Sequence, residues 1–430
     1  MVTGNEYIFD NINQALAYVL DSEKEALAKD LCRQRPPVVV KHSPELFCVP
    51  APDKMPYVPV DSLDFPQTAF YNNVNDDMFI MTRLSSGRYS LKPNLRNRKY
   101  LFRGESGFHS PCRPNLFRNP KQKRFTKEMM RGQEMKLLML SHPLVQLLDL
   151  GIELDGNIYR YEMNLFGLTQ HYYNRTSFLD LTSNPKVAAF FATTKYEYET
   201  DSYSPIEDEN HQPGVLYYYS IDVTQDFGYR NDGTLSRLST IGLQVFPRSG
   251  QQNGFLYIMN KNEDFNDVTQ LHAVRFRHNA EISRRIYNDF DGGKSLFPDD
   301  ILMQHWQSNN VKSSIISNRT IVLNQIDNPE MTLSQVMQEA IDLKFDVRDY
   351  IPRFTEEELN SYYDSVWNHC FWSDFCEKIH IPGDNNKKMK QDLLNLPNNP
   401  KYRWAFMPDS SHVIDYDNGY LLRKYKRCLT

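Results

Sequence analysis

The run 170–192, QHYYNRTSFLDLTSNPKVAAFFA, constrains this chain more than any other stretch. A proline cannot donate a backbone hydrogen bond, so Pro185 suits the first turn of a helix and nowhere deeper. The Ala- and Phe-rich residues that follow, 187–192, read as the body of that helix and as buried. Thr182 or Ser183 offers a hydroxyl to cap its orphan amides. The predicted order is an exposed polar loop, a short buried strand through Phe178-Leu179, then the buried helix. Loops held between packed elements are where sites usually lie. This run by itself names no reaction.

Upstream, Leu16, Val19, Leu20, Ala26, Leu27 and Leu31 recur near helical spacing, predicting an amphipathic helix over 9–35 that Pro36-Pro37 stops. Residues 38–96 are proline-rich and irregular, either a small lead-in domain or a wrapping arm. KYLFRG, at 99–104, reads as a short strand ending at a glycine corner. The basic stretch 121–124 precedes a helix over 126–140, and helical turns resume over 144–150 after Pro143. Downstream, TDSYSPIEDENHQ at 200–212 is acidic and turn-rich, hence a surface loop. Strands are expected at 214–220, 255–259 and 271–277, with a polar turn holding two glycines at 246–254. Residues 280–287 predict a helix, and Phe297-Pro-Asp-Asp300 opens another. Beyond 308, Thr332-x-x-Gln335 and Thr355-x-x-Glu358 are capping-box patterns ahead of apolar-periodic runs. The expected organisation is an N-terminal helix and arm at 1–96, a central domain at 97–307, and a mainly helical region at 308–430.

At 430 residues and 40% hydrophobic content, the chain has ample material for a core. No apolar run approaches the roughly 20 residues that span a bilayer, so no membrane contact is expected. The start, MVTGNEYIFDN, lacks the basic-then-apolar pattern of a signal peptide, which predicts a cytoplasmic protein. A net charge of -5 argues against general polyanion affinity. Six scattered cysteines form no CxxC pair. The cluster His369, Cys370, Cys376 and His380 fits no common zinc spacing and sits among aromatic residues, so no metal is expected.

Four segments, in order, resemble the FRG domain family, named for its Phe/Tyr-Arg-Gly motif. They are Tyr100-Leu-Phe-Arg-Gly-Glu-Ser106; Leu168-Thr-Gln-His-Tyr172 with Thr176-Ser-Phe-Leu-Asp-Leu-Thr182 and Asn184-Pro-Lys-Val-Ala188; Arg248 with Gln252-Asn-Gly-Phe255; and Leu296-Phe-Pro-Asp299. The family is often bacterial and found in phage-defence settings. More distantly, the pattern is similar to the Arg-Ser-Glu type of ADP-ribosyltransferase. That resemblance implies an α+β fold with a mixed or antiparallel sheet core, packed helices and a cleft for NAD or a related nucleotide.

By the same resemblance, Arg103 and Gly104 would meet an NAD phosphate or ribose, as a bidentate guanidinium suits. Thr182 and Ser183 would support the nicotinamide pocket, and Gln252 (or Gln251) would occupy the turn where the transferases carry a catalytic Glu. A Gln amide can orient a ribose but supplies no charge to an oxocarbenium-like transition state. Asp180 is a nearby carboxylate, and His171 a base or ribose contact. Each has a plainer reading: Arg103 as a buried strut pairing Asp180, His171 as a hydrogen-bonded core histidine, Thr182 as a helix cap. Glu105 and Arg248 are secondary candidates. Two functions remain open. One is ADP-ribosyl transfer, or cleavage of the glycosidic bond, with a protein or nucleic-acid acceptor, in a toxin or defence role. The other is a recognition module for a nucleotide or partner that does no chemistry. A nuclease finds little support, because the carboxylates form no clear metal cluster.

Overall fold

The computed structural model describes residues 7–29, 38–39, 47–48, 75–84, 87–118, 122–172, 174–197, 200–221, 237–309, 314–368, 371–382 and 386–407. The expectations on 30–37, on most of the 38–96 arm, on the side chains of 121–124, on Tyr173 and on His369-Cys370 lie outside these. The chain divides into two compact units that alternate along the sequence. The first is Met1–Phe117 with Ser177–Pro298, the second Arg118–Thr176 with Asp299–Thr430.

The first unit is built on a seven-stranded sheet. Its strands are β1 (Ile8–Phe9), β2 (Tyr100–Glu105), β3 (Phe178–Thr182), β4 (Gly214–Ser220), β5 (Leu238–Thr240), β6 (Gly254–Ile258) and β7 (Leu271–Phe276). The order across the sheet is β1-β7-β4-β2-β3-β6-β5. Only β1 and β7 run parallel; every other pair is antiparallel. The fold is therefore α+β with a mixed sheet, as the sequence predicts. Alternate residues of a strand face opposite sides, and the two sides have separate cores. Leu101, Leu179, Leu181, Tyr217, Tyr219 and Phe255 pack on one side. On the other, Phe102, Leu216 and Phe276 pack against helices α1 (Ile12–Lys29), α2 (Pro185–Thr193) and α3 (Ala280–Asp289).

The strands at 99–104, 214–220, 255–259 and 271–277 form within a residue or two of their expected limits. Glu23, buried on α1, accepts from the backbone amides of Lys99 and Tyr100 and from Arg98, which ties that helix to the start of β2. Three expectations are corrected. Asn184, not Thr182 or Ser183, caps α2: its side chain accepts from Lys186, with Pro185 in the first turn as expected. Thr182 is the last residue of β3 and its hydroxyl is engaged elsewhere. Within the expected surface loop at 200–212, Ser202–Pro205 pairs as a strand with Thr194–Glu197, because Tyr203 packs on Phe190, Phe191 and Phe297. The expected polar turn at 246–254 is a helical turn, Arg248–Gln251, with Arg248, Ser249 and Gly250 buried, followed by Asn253 at φ 47°.

The second unit is mostly helical, with helices at Gln122–Leu140, Pro143–Leu150, Ile301–Asn309, Asn318–Asp327, Leu333–Asp342, Glu356–Asn368, Phe371–Glu377 and Asn386–Leu394. Both capping boxes form: Thr332 and Gln335 exchange bonds, as do Thr355 and Glu358. Buried Glu134 accepts from the Ser317 amide and from the hydroxyls of Thr320 and Tyr350, joining residues far apart in sequence. Among the described residues no helix is long and apolar enough to cross a membrane.

Candidate functional site

Arg103 lies on β2 opposite Tyr217 of β4, on the sheet side that carries Leu101, Leu179 and Leu181. Its Nε and Nη2 donate to one oxygen of Glu105 at 2.8 and 2.6 Å, and its Nη1 donates to the backbone carbonyl of Asp180 at 2.9 Å. Burial opposes its charge most, but Glu105 together with Cys112 and Asp180 outweighs this and raises its pKa above the ordinary arginine range. The partner carboxylate is thus Glu105, and Asp180 contributes its main chain. The other oxygen of Glu105 lies 3.5 Å from Nε2 of half-exposed His109, and the buried Cys112 thiol points at Glu105 from 4.0 Å. Asp264 accepts from the Cys112 amide and from Asn266, which in turn accepts from the Tyr217 hydroxyl. Residues two apart on a strand share a face, and the strand pairs Arg103 with Glu105 because it runs on past the glycine corner expected at 104. The contributions of His109, Asp264 and Asn266 depend on loop geometry and were not legible in the sequence.

Gly104 faces the opposite side, where α2 crosses. A Cβ there would sit 1.8 Å from the Ala188 carbonyl oxygen and 2.7 Å from the Ala192 nitrogen. Glycine at this place lets helix and strand backbones touch.

Strand alternation puts Asp180 and Thr182 on the α2 side as well, with Thr182 opposite Phe102 of β2 and Gly254 of β6. The Thr182 hydroxyl donates to the Gln252 carbonyl at 2.6 Å and accepts from the Asn184 amide at 2.9 Å. The Gln252 side chain donates to the Leu296 carbonyl at 3.1 Å, and Ser183 donates its amide to Asn253. Thr182, Ser183 and Gln252 are all buried. They lock the end of β3 to the turn before β6 and to the segment ahead of Phe297.

Next to this lock is a mixed-charge cluster. The Arg248 guanidinium lies over the Phe297 ring at 5.8 Å, and Phe297 stacks on half-buried Tyr203 with centroids 5.1 Å apart and planes 14° off parallel. Burial, with Tyr196 and Asp180 adding to it, pushes the Tyr203 hydroxyl above the ordinary phenol range, while Arg248 pulls it down. Tyr203 is therefore a neutral donor within electrostatic reach of a carboxylate and a guanidinium. An aspartate that accepts from hydroxyls, a phenol and an arginine are the group types that hold a ribose and a phosphate. No sequence signal marks Tyr203, because the acidic, turn-rich composition of 200–212 predicts a surface loop there.

The predicted residues are thus distributed. Arg103 is on one side of the sheet, Asp180 and Thr182 are on the other, and Gln252 closes a buried turn. His171 belongs to the second unit, half-buried in the 3-10 turn Gln170–Tyr172, whose Tyr172 hydroxyl bonds Asp300. Among the described residues no group of three or more His, Cys, Asp or Glu could hold a metal ion.

The family model of the FRG domain matches residues 98–201, so the chain carries an FRG domain. The first two resembling segments fall inside that match and the last two beyond it. No curated protein and no solved structure matches the chain.

Proposed function

We propose that this FRG-domain protein recognises NAD or a related nucleotide at the Asp180–Tyr203–Arg248 cluster, with Phe297 as an aromatic wall, and holds it without transferring ADP-ribose. Asp180 accepts from ribose hydroxyls, Arg248 and the Tyr203 hydroxyl donate to the phosphate, and Arg103 braces the sheet behind them. The observation that carries this reading is Arg248 over the Phe297–Tyr203 stack, with Asp180 near enough for its charge to bear on the Tyr203 hydroxyl. Against chemistry stands Gln252, whose amide is bound to the Leu296 carbonyl at the turn where a transferase would place its Glu. Losing such a charge from a transition state costs about 3–4 kcal/mol of barrier. The transferase alternative, with a protein or nucleic-acid acceptor, would have to use Asp180 as its carboxylate. A phage-defence or toxin role rests on the family resemblance alone.

The test pairs NAD binding with release of nicotinamide, on wild type, Asp180→Asn and Tyr203→Phe. Saturable binding, weakened about tenfold or more in both variants at unchanged melting temperature and with no nicotinamide released, is the expected result. Wild-type protein that ignores NAD would overturn the reading. Nicotinamide release that Asp180→Asn abolishes would replace it with the transferase alternative.

A further inference from the structure

A pair of histidines in the first unit takes no part in the nucleotide cluster. His278, just past β7, is buried, and its Nε2 bonds the Ser106 carbonyl at 3.0 Å. Its ring makes edge contact with Phe276 at 5.3 Å and with His211 at 5.1 Å. Ser106 and Gly107 leave the end of β2, and His211 and Gln212 lead into β4. These two loops touch: a Cβ on Gly107 would fall 2.0 Å from the Gln212 side-chain nitrogen. The loop after β2 goes on to carry His109, beside Glu105, and Cys112.

We propose that His211 and His278 form an acid-operated latch, which fastens the loop after β2 to the loop before β4 near neutral pH and releases it when His278 takes up a proton against the charge of His211. Two neutral rings at 5.1 Å attract edge to face; two imidazolium rings at that distance repel in a poorly solvated place. Of the other charged groups on the elements around His278, Glu209 and Glu281 are exposed to solvent and the rest have partners. Glu207 pairs with Arg284, Asp208 accepts from the Asn210 amide, Arg277 faces Asp10, Arg275 lies over Phe108, and Glu105 holds Arg103. Burial lowers the His278 pKa most, and the charge of His211 lowers it further, against the backbone of Ser106 and Gln212. His278 is therefore neutral in the closed form, and proton uptake below its ordinary pKa favours the open one.

Hydrogen exchange, corrected for its intrinsic pH dependence, tests this on the full chain at about pH 7.5 and about pH 5. In wild type, peptides covering 105–117 and 207–214 lose about tenfold in protection at the lower pH, while peptides in α1 and β7 keep theirs. His211→Gln removes one charge, leaves the Ser106 bond and loses less protection than wild type. Unchanged protection in wild type, an equal loss in His211→Gln, or loss spread over the whole unit would each overturn the latch.

Discussion

Arg103 and Gly104 sit next to each other and do unlike work. Arg103→Ala would leave Glu105 largely buried with its strongest partner gone, which costs about 3–5 kcal/mol. Chemical denaturation reads that loss, and a change under about 1 kcal/mol would mean that the pair is solvated and not a strut. Gly104→Ala drives a methyl into the Ala188 carbonyl, so α2 must move off the sheet; overpacking of this kind costs about 1–3 kcal/mol or more. A variant that melts with wild type would show that the helix has room to shift. Strand period puts Arg103 and Glu105 on one face, but the glycine corner expected at 104 stops the strand one residue short of that pair, which left Asp180 as the expected partner. The direction of Asp180 was not legible either. It depends on β3 meeting β2 through the single pair Phe102 and Thr182, and a slip of one residue would send its carboxylate to the side of Arg103.

Among the elements, helices and strands with strong local signals were legible, and ends decided by distant partners were not. The capping boxes at Thr332 and Thr355 formed as written because both halves lie within one turn. The cap of α2 falls to Asn184 because it directly precedes Pro185 in the first turn, whereas Thr182 is still in β3, its hydroxyl donating to Gln252 seventy residues away and accepting only the Asn184 amide. Asn184→Ala should therefore cost about 1 kcal/mol in a melting experiment, and a null effect would move the cap elsewhere. The helix Pro143–Leu150 has a titrating cap. His142 accepts the Leu144 amide through Nδ1 and is packed against Phe354 and Tyr362. Burial lowers its pKa to about 3. The folded chain keeps it neutral while the unfolded chain takes up a proton below about 6.5, so stability falls as the pH drops from there toward 3. The slope approaches about 1.4 kcal/mol per pH unit, and His142→Asn, which can still cap, should flatten it in urea titrations. An unchanged slope would place the titration on another group.

At the scale of the whole molecule, each unit is made of two separate segments, and the FRG match at 98–201 begins and ends in the first unit while passing through the second. Composition shifts mark a change near 308, but they cannot show that residues 118–176 fold with the C-terminal helices. That association rests on contacts such as Met130 in the Ile316–Phe345 core and Glu134 with Ser317, Thr320 and Tyr350. A fragment of residues 308–430 alone should therefore show little cooperative unfolding by circular dichroism, and a sharp transition would contradict the assignment of units. For the molecule's function, calorimetric titration of NAD into wild type and Arg248→Gln, with melting as the fold control, is the most direct measurement. Saturable binding that weakens about tenfold or more in the variant, at unchanged melting temperature, is the result that places the nucleotide beside Asp180, Tyr203 and Arg248. Equal affinity in both proteins, or heat from neither, would contradict it.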